Sequence, residues 1–242
     1  MPKKNPDGRM TVVEHLAELR RRIVISLVAV TLGATVCYIF APSIIRFFLQ
    51  YYKDATNGQR NSFIFTGPLD AFVTRIKVAT YGGLVLAAPV WLWELWRFIT
   101  PGLDRREKRY AIPFIVSSIL LFALGGFVAF VTLPEALSFL LNAGGSELKP
   151  LLTADKYLSL VSLMVVAFGI AFEFPVLLMF LLLARVITTR QLRKWRRWAI
   201  VIIVTFAAVI TPSQDPYSLF FMAVPMYIFY ELSILIGRAL KR

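Results

Sequence analysis

An all-α integral membrane protein, a kinked and concave bundle of six transmembrane helices with both termini cytoplasmic, is the fold class this sequence predicts. Three observations carry that prediction. The 242 residues are 58% hydrophobic and 17% charged, with a mean hydropathy of +0.68, whereas soluble domains carry about 25% charged residues. Apolar runs matching a hydrocarbon core of about 30 Å recur along the chain. The Lys and Arg residues collect in alternate links between those runs, as the positive-inside rule requires.

The first apolar run, Ile23–Phe40, follows the polar stretch MPKKNPDGRMTVVEHLAELRRR. No small-residue cleavage site closes the run, so it is expected to be a retained helix. Pro42–Tyr52 interleaves aromatic and polar residues and predicts a short amphipathic helix along the outer interface. The second run, Arg75–Phe98, contains Pro89 well inside, where a proline kinks a helix. The third, Tyr110–Leu133, has Pro113 near its start, where proline costs little. The link that follows includes Asn142-Ala-Gly-Gly145, a turn signal.

The fourth run, Tyr157–Ala184, holds Glu173 as its only acidic or basic residue, with Pro175 two positions on. The fifth, Trp198–Ile210, is 13 residues long, only about 20 Å at 1.5 Å per residue. The turn Thr211-Pro-Ser-Gln-Asp-Pro216 joins it to the sixth, Tyr217–Gly237, which contains Pro225. All six belong to one membrane domain spanning 1–242.

The short fifth run is either a short span or a re-entrant segment, and the charges discriminate. With six spans, twenty Lys/Arg fall on one side and seven on the other. Five spans would put Arg238, Lys241 and Arg242 on the basic-poor side. The count therefore favours six and places both termini in the cytoplasm. The same distribution makes the net charge of +13 a topology signal, so no nucleic-acid partner is expected. The single cysteine, Cys37, allows no intrachain disulfide.

Enzyme signatures are missing from the sequence. With His15 as the one histidine there is no H-E-x-x-H helix, and no G-x-x-x-x-G-K-[ST] phosphate loop occurs. Neither a metal nor a cofactor is expected. The acids are more informative. A charge at the centre of a membrane helix costs about 2.5–3.5 kcal/mol on insertion scales, so Glu173 marks either a function or a partner. Pro175 removes the amide hydrogen that would serve the carbonyl of Ala171. On the basic face, Glu14 and Glu18 lie one helical turn apart, and Glu18 can reach Arg22; a surface helix laced with local ion pairs would also read this way. Glu107, within Pro101-Gly-Leu-Asp-Arg-Arg-Glu-Lys-Arg109, is either an intra-loop salt bridge or an acidic socket for an arginine from a partner, because carboxylates take guanidinium in a bidentate fork. Residue chemistry leaves both open.

Four segments in order resemble the TatC family, the large subunits of twin-arginine protein translocases. They are His15-Leu-Ala-Glu-Leu-Arg-Arg-Arg22; Pro89 with Trp96-Arg-Phe-Ile-Thr-Pro-Gly-Leu103 and Glu107; Phe168-Gly-Ile-Ala-Phe-Glu-Phe-Pro175; and Thr211–Pro216 with Pro225-Met-Tyr and Glu231. The resemblance spans nearly the whole chain. It implies a signal-peptide receptor and translocase core in the cytoplasmic (inner) membrane. Such a protein exports folded proteins on the proton-motive force and assembles with TatA- and TatB-type single-span proteins into higher-order homo- and hetero-oligomers. By position, Glu107 matches the acid for a signal arginine. Glu18, with Arg20 beside it, and Phe98, Pro101 and Leu103 match the rest of that surface. Glu173, next to Pro175, matches an intramembrane acid facing a partner groove, and Asp215 an outer-side acid. The alternative is a proton-coupled secondary transporter using Glu173, for which the spans supply few companion polar groups beyond Ser117, Ser118, Ser162 and Thr205.

Overall fold

The computed structural model describes residues 12–55, 67–99, 111–143 and 153–239, all organised as helices and short connections. The first helix, α1 (Val12–Ala55), runs well past both ends of the first apolar segment. Its polar start is helical because Glu18 and Arg22 pair across one turn. Its far end continues through Pro42, which should leave the carbonyl of Tyr38 without a helical donor. The stretch after Pro42 is thus a continuation of α1 rather than a separate interface helix. Tertiary contacts hold it: Tyr51 Oη donates to the Phe130 carbonyl at 2.9 Å, and Tyr157 Oη donates to the Phe48 carbonyl at 3.1 Å.

The second apolar segment is two helices, α2 (Asp70–Leu86) and α3 (Ala88–Ile99), bent by 53° at Ala87. Pro89 lies in the first turn of α3, where its missing N–H disturbs least. Trp91 Nε1 donates to the Leu84 carbonyl at 3.0 Å and so occupies an acceptor at the bend. Helix α4 (Ala111–Asn142) extends beyond the expected end at Leu133 and passes through Pro134. The fourth segment also breaks, into α5 (Ala154–Ala171) and α6 (Phe174–Leu183), with Glu173 at the joint and Pro175 in the first turn of α6. An unanticipated short helix, α7 (Thr189–Lys194), forms in the basic link, nucleated by a reciprocal Thr188–Gln191 capping box. The last two helices are α8 (Arg196–Ile210) and α9 (Pro216–Ala239).

Four helical stretches among the described residues are long and apolar enough to cross a bilayer: Val13–Lys53, Ile112–Asn142, Ala154–Leu183 and Pro216–Ala239. The bent α2–α3 pair makes a fifth when taken as one span. Helix α8, at 15 residues, reaches about 22 Å. Their outer faces carry Leu27, Leu32, Ile39, Leu120, Phe127 and Val209, all exposed, as lipid-facing helices require.

Helix α1 packs most extensively along α2, and α4 along α5. Both pairs depend on backbone approach at a glycine. A Cβ on Gly83 would sit 2.4 Å from the Ala34 amide nitrogen, and one on Gly125 2.4 Å from the Phe168 carbonyl oxygen. Small residues let membrane helices come this close, which matters because lipid supplies no hydrophobic drive for helix association. The core lies between α4, α5, α6, α8 and α9, where Leu133, Tyr157, Phe168, Phe172, Ile203 and Met226 are buried.

Candidate functional site

The face at which α1 begins and α3 ends carries a built polar cluster. Glu18 and Arg22 lie on one side of α1, and Glu94 projects from α3. Arg22 Nε and Nη2 both donate to Glu18 Oε1, at 3.1 and 2.5 Å, and Nη1 donates to Glu94 Oε2 at 2.7 Å. One guanidinium thus bridges two carboxylates from different helices, and the trio carries a net negative charge. The three side chains keep only 15%, 17% and 10% of their surface exposed for Arg22, Glu18 and Glu94. At that burial the pairing is obligatory, because an uncompensated charge is costly. Glu18 Oε2 is buried and has no hydrogen-bond partner among the described residues. His15 stacks on Phe98 beside the cluster, with centroids 4.4 Å apart and planes 17° from parallel. A groove of about 300 Å³ leads from Arg22 and Glu94 between α1 and α3, lined by Ile23, Leu27, Trp91 and Phe98 among others.

Of the residues expected in a signal-binding surface, Glu18 lies in the cluster and Phe98 stacks on His15 beside it. Arg20 is exposed and makes no ion pair among the described residues; Arg22, two positions on, holds Glu18 instead. Pro101, Leu103 and Glu107 lie outside the described residues. Glu94 was not singled out as a site residue. Its sequence signal is a carboxylate in α3 that shares the helix with Arg97 and otherwise apolar residues, and nothing local to that stretch names its partner 72 positions away.

Glu173 sits at the α5–α6 joint and is partly buried. Ser118 Oγ, from fully buried Ser118 on α4, donates to Glu173 Oε2 at 2.5 Å. Trp96 Nε1, from α3, donates to the same Ser118 oxygen at 2.5 Å. Glu173 Oε1 is buried without a hydrogen-bond partner among the described residues. The acid therefore has one oxygen engaged by a two-residue chain and one in reserve.

Asp215 is placed differently. It is 1% exposed and stands just before α9. Its Oδ1 accepts from the Ser218 amide at 2.8 Å, and its Oδ2 accepts from the Ser213 hydroxyl. This is a helix N-cap with Pro216 at the first helical position. No group of three His, Cys, Asp or Glu among the described residues is placed to hold a metal ion.

Fold and site together define a multi-pass helical membrane protein with an acidic pocket bridged by its own arginine at one face and a second acid at a broken helix. The model of the family described as Sec-independent protein translocase protein (TatC) matches residues 14–225. The TatC of Frankia casuarinae is 42% identical over 96% of this chain, which spans 66% of that protein's length. The TatC of Aquifex aeolicus is 40% identical over 96% of this chain and 97% of its own. A crystal structure described as the twin-arginine translocase receptor TatC superposes with a TM-score of 0.77 at 39% identity, covering 94% of this chain and all of that one. The chain belongs to the TatC family of Sec-independent protein translocase proteins. A secondary transporter built around Glu173 finds no support in these similarities.

Proposed function

We propose that this chain is the signal-peptide receptor and core subunit of a twin-arginine translocase in the cytoplasmic (inner) membrane. Glu18 and Glu107 take the arginines of the signal, and Phe98, Pro101 and Leu103 frame the surface. The observation that carries this reading is Glu18: a largely buried carboxylate, in an excess-acid cluster, with one oxygen unpartnered among the described residues. A guanidinium is the ligand such an oxygen accepts best, through charge-assisted hydrogen bonds. The translocase receptor whose structure this chain resembles is named for twin arginines, which agrees with that chemistry.

In this reading residues 1–242 form one membrane domain with six spans and both termini cytoplasmic, supported by the basic-residue asymmetry. The short α8 thins the membrane locally, since a span below bilayer thickness must thin it, tilt or recruit neighbours. TatA- and TatB-type single-span proteins dock at the intramembrane site of Glu173, and the proton-motive force drives export. Titration of the purified protein with a twin-arginine peptide and its twin-lysine variant tests the reading. Glu107→Gln and Glu18→Gln should each weaken the arginine peptide about tenfold or more, in line with 1.5–3 kcal/mol for a hydrogen bond to a charged group. Equal affinity for the arginine and lysine peptides would reject it.

A further inference from the structure

Helix α3 joins the two polar sites. Glu94 and Trp96 are two residues apart on it, so their side chains leave the helix about 200° apart. Glu94 meets Arg22 of α1 on one side. Trp96 points the other way, stacks on Phe114 with centroids 5.5 Å apart, and meets the edge of Phe180 at 5.9 Å. There its indole N–H reaches Ser118 Oγ, which in turn donates to Glu173. Two hydrogen-bonded chains therefore end on α3, Glu18–Arg22–Glu94 on one side and Trp96–Ser118–Glu173 on the other, and the helix itself joins them.

The helix that carries both chains packs against α1 and α4 and only sparingly against α2. Helix α3 is 12 residues long and leaves α2 through the 53° bend at Ala87, which has Pro89 on its far side. Element-terminal residues such as those at this bend are where hinge motion is absorbed. Arg22 Nη1 ties this segment to α1 through Glu94. A cation arriving at the acids competes with Arg22 for the same carboxylates, so occupancy of the pocket changes what ties α3 to α1.

We propose that α3 is a lever that reports occupancy of the Glu18–Glu94 pocket to Glu173, with Trp96 and Ser118 as the residues that position the Glu173 carboxyl. The proposal rests on the reading of the pocket as an arginine site. A guanidinium that draws the carboxylates from Arg22 removes the Arg22–Glu94 tie, leaving α3 held to α1 by the His15–Phe98 stack and apolar packing, and so shifts α3. The indole N–H of Trp96 then moves relative to Ser118, and the hydroxyl changes its donation to Glu173. Physical coupling of this kind requires a contiguous network and an element with two arrangements; in this proposal the two hydrogen-bonded chains joined through α3, and the bend at Ala87, fill those parts.

The test uses the full-length protein in lipid nanodiscs and a twin-arginine peptide. Peptide affinity is measured by titration, and the carboxyl infrared bands of Glu173 are assigned by difference against Glu173→Gln. Peptide binding should shift the Glu173 band in the unaltered protein. In Trp96→Phe, which keeps the ring but loses the N–H, and in Ser118→Ala, the peptide should bind within about threefold of the unaltered affinity while the shift is lost. A full shift in both variants would overturn the proposal, as would bound peptide with no shift in the unaltered protein. Loss of peptide binding in both variants also counts against it, because the lever leaves the arginine pocket intact. Failure of the peptide to bind the unaltered protein would instead remove the arginine-site reading on which the lever depends.

Discussion

Glu173 and Asp215 are both acids in apolar surroundings, yet the structure uses them in opposite ways. Asp215 has both oxygens engaged at the start of α9, by the Ser218 amide and the Ser213 hydroxyl, and it is almost wholly buried. Glu173 has one oxygen engaged by Ser118 and the other without a partner among the described residues. A fully satisfied carboxylate stabilises the fold and has nothing left to offer a ligand. A half-satisfied one at membrane depth carries a standing desolvation cost, which marks it for use. Counting occupied oxygens separates the two roles, whereas counting charges does not.

That comparison breaks or sharpens under substitution. The largest stability loss should come from Asp215→Ala, at about 2 kcal/mol, because an N-cap costs roughly 0.5–2 kcal/mol and the buried Ser213 hydroxyl loses its acceptor. Thermal unfolding in detergent measures it, and an unchanged midpoint would return Asp215 to the candidate binding residues. Glu173→Ala should cost less, about 1 kcal/mol, the value of one hydrogen bond, while export of a twin-arginine precursor falls sharply. Normal export by that variant would erase the contrast between the acids. Asp215→Asn keeps an acceptor for the Ser218 amide, so its loss should stay below about 1 kcal/mol. Smallest of all should be Arg196→Lys. Arg196 pairs with Glu231 at 2.5 Å but is 45% exposed, and exposed pairs contribute about 0–1 kcal/mol. Its unfolding midpoint should move by no more than the measurement error.

Some of this site was open to a reader of the chain. The i,i+4 spacing of Glu18 and Arg22 announced their ion pair, which the structure contains. Asp215 is also legible as a cap, because an aspartate followed by proline and, two residues later, by Ser218 is a cap signal, and this is compatible with its place in the turn between the last two helices. Prolines located the α2–α3 break near Pro89 and the α5–α6 break near Pro175. At Pro42 and Pro134 the same signal did not end a helix. Packing decides such cases: the stretch after Pro42 is anchored by the Tyr51 and Tyr157 hydroxyls on α4 and α1 carbonyls. Glu94, Trp96 and Ser118 escaped notice as a set because each looks ordinary in its own helix.

By itself the sequence determined the membrane class, the apolar segments, the sidedness implied by Lys and Arg, and the resemblance to TatC. These follow from local properties, since hydropathy, charge and proline act within a few residues of where they stand. Only the tertiary structure decided that Arg22 bridges Glu18 to Glu94 and that Trp96 and Ser118 reach Glu173. Those contacts join residues 72, 22 and 55 positions apart. They exist because close helix packing, permitted by Gly33, Gly83 and Gly125, brings polar groups together where lipid offers them no other partner.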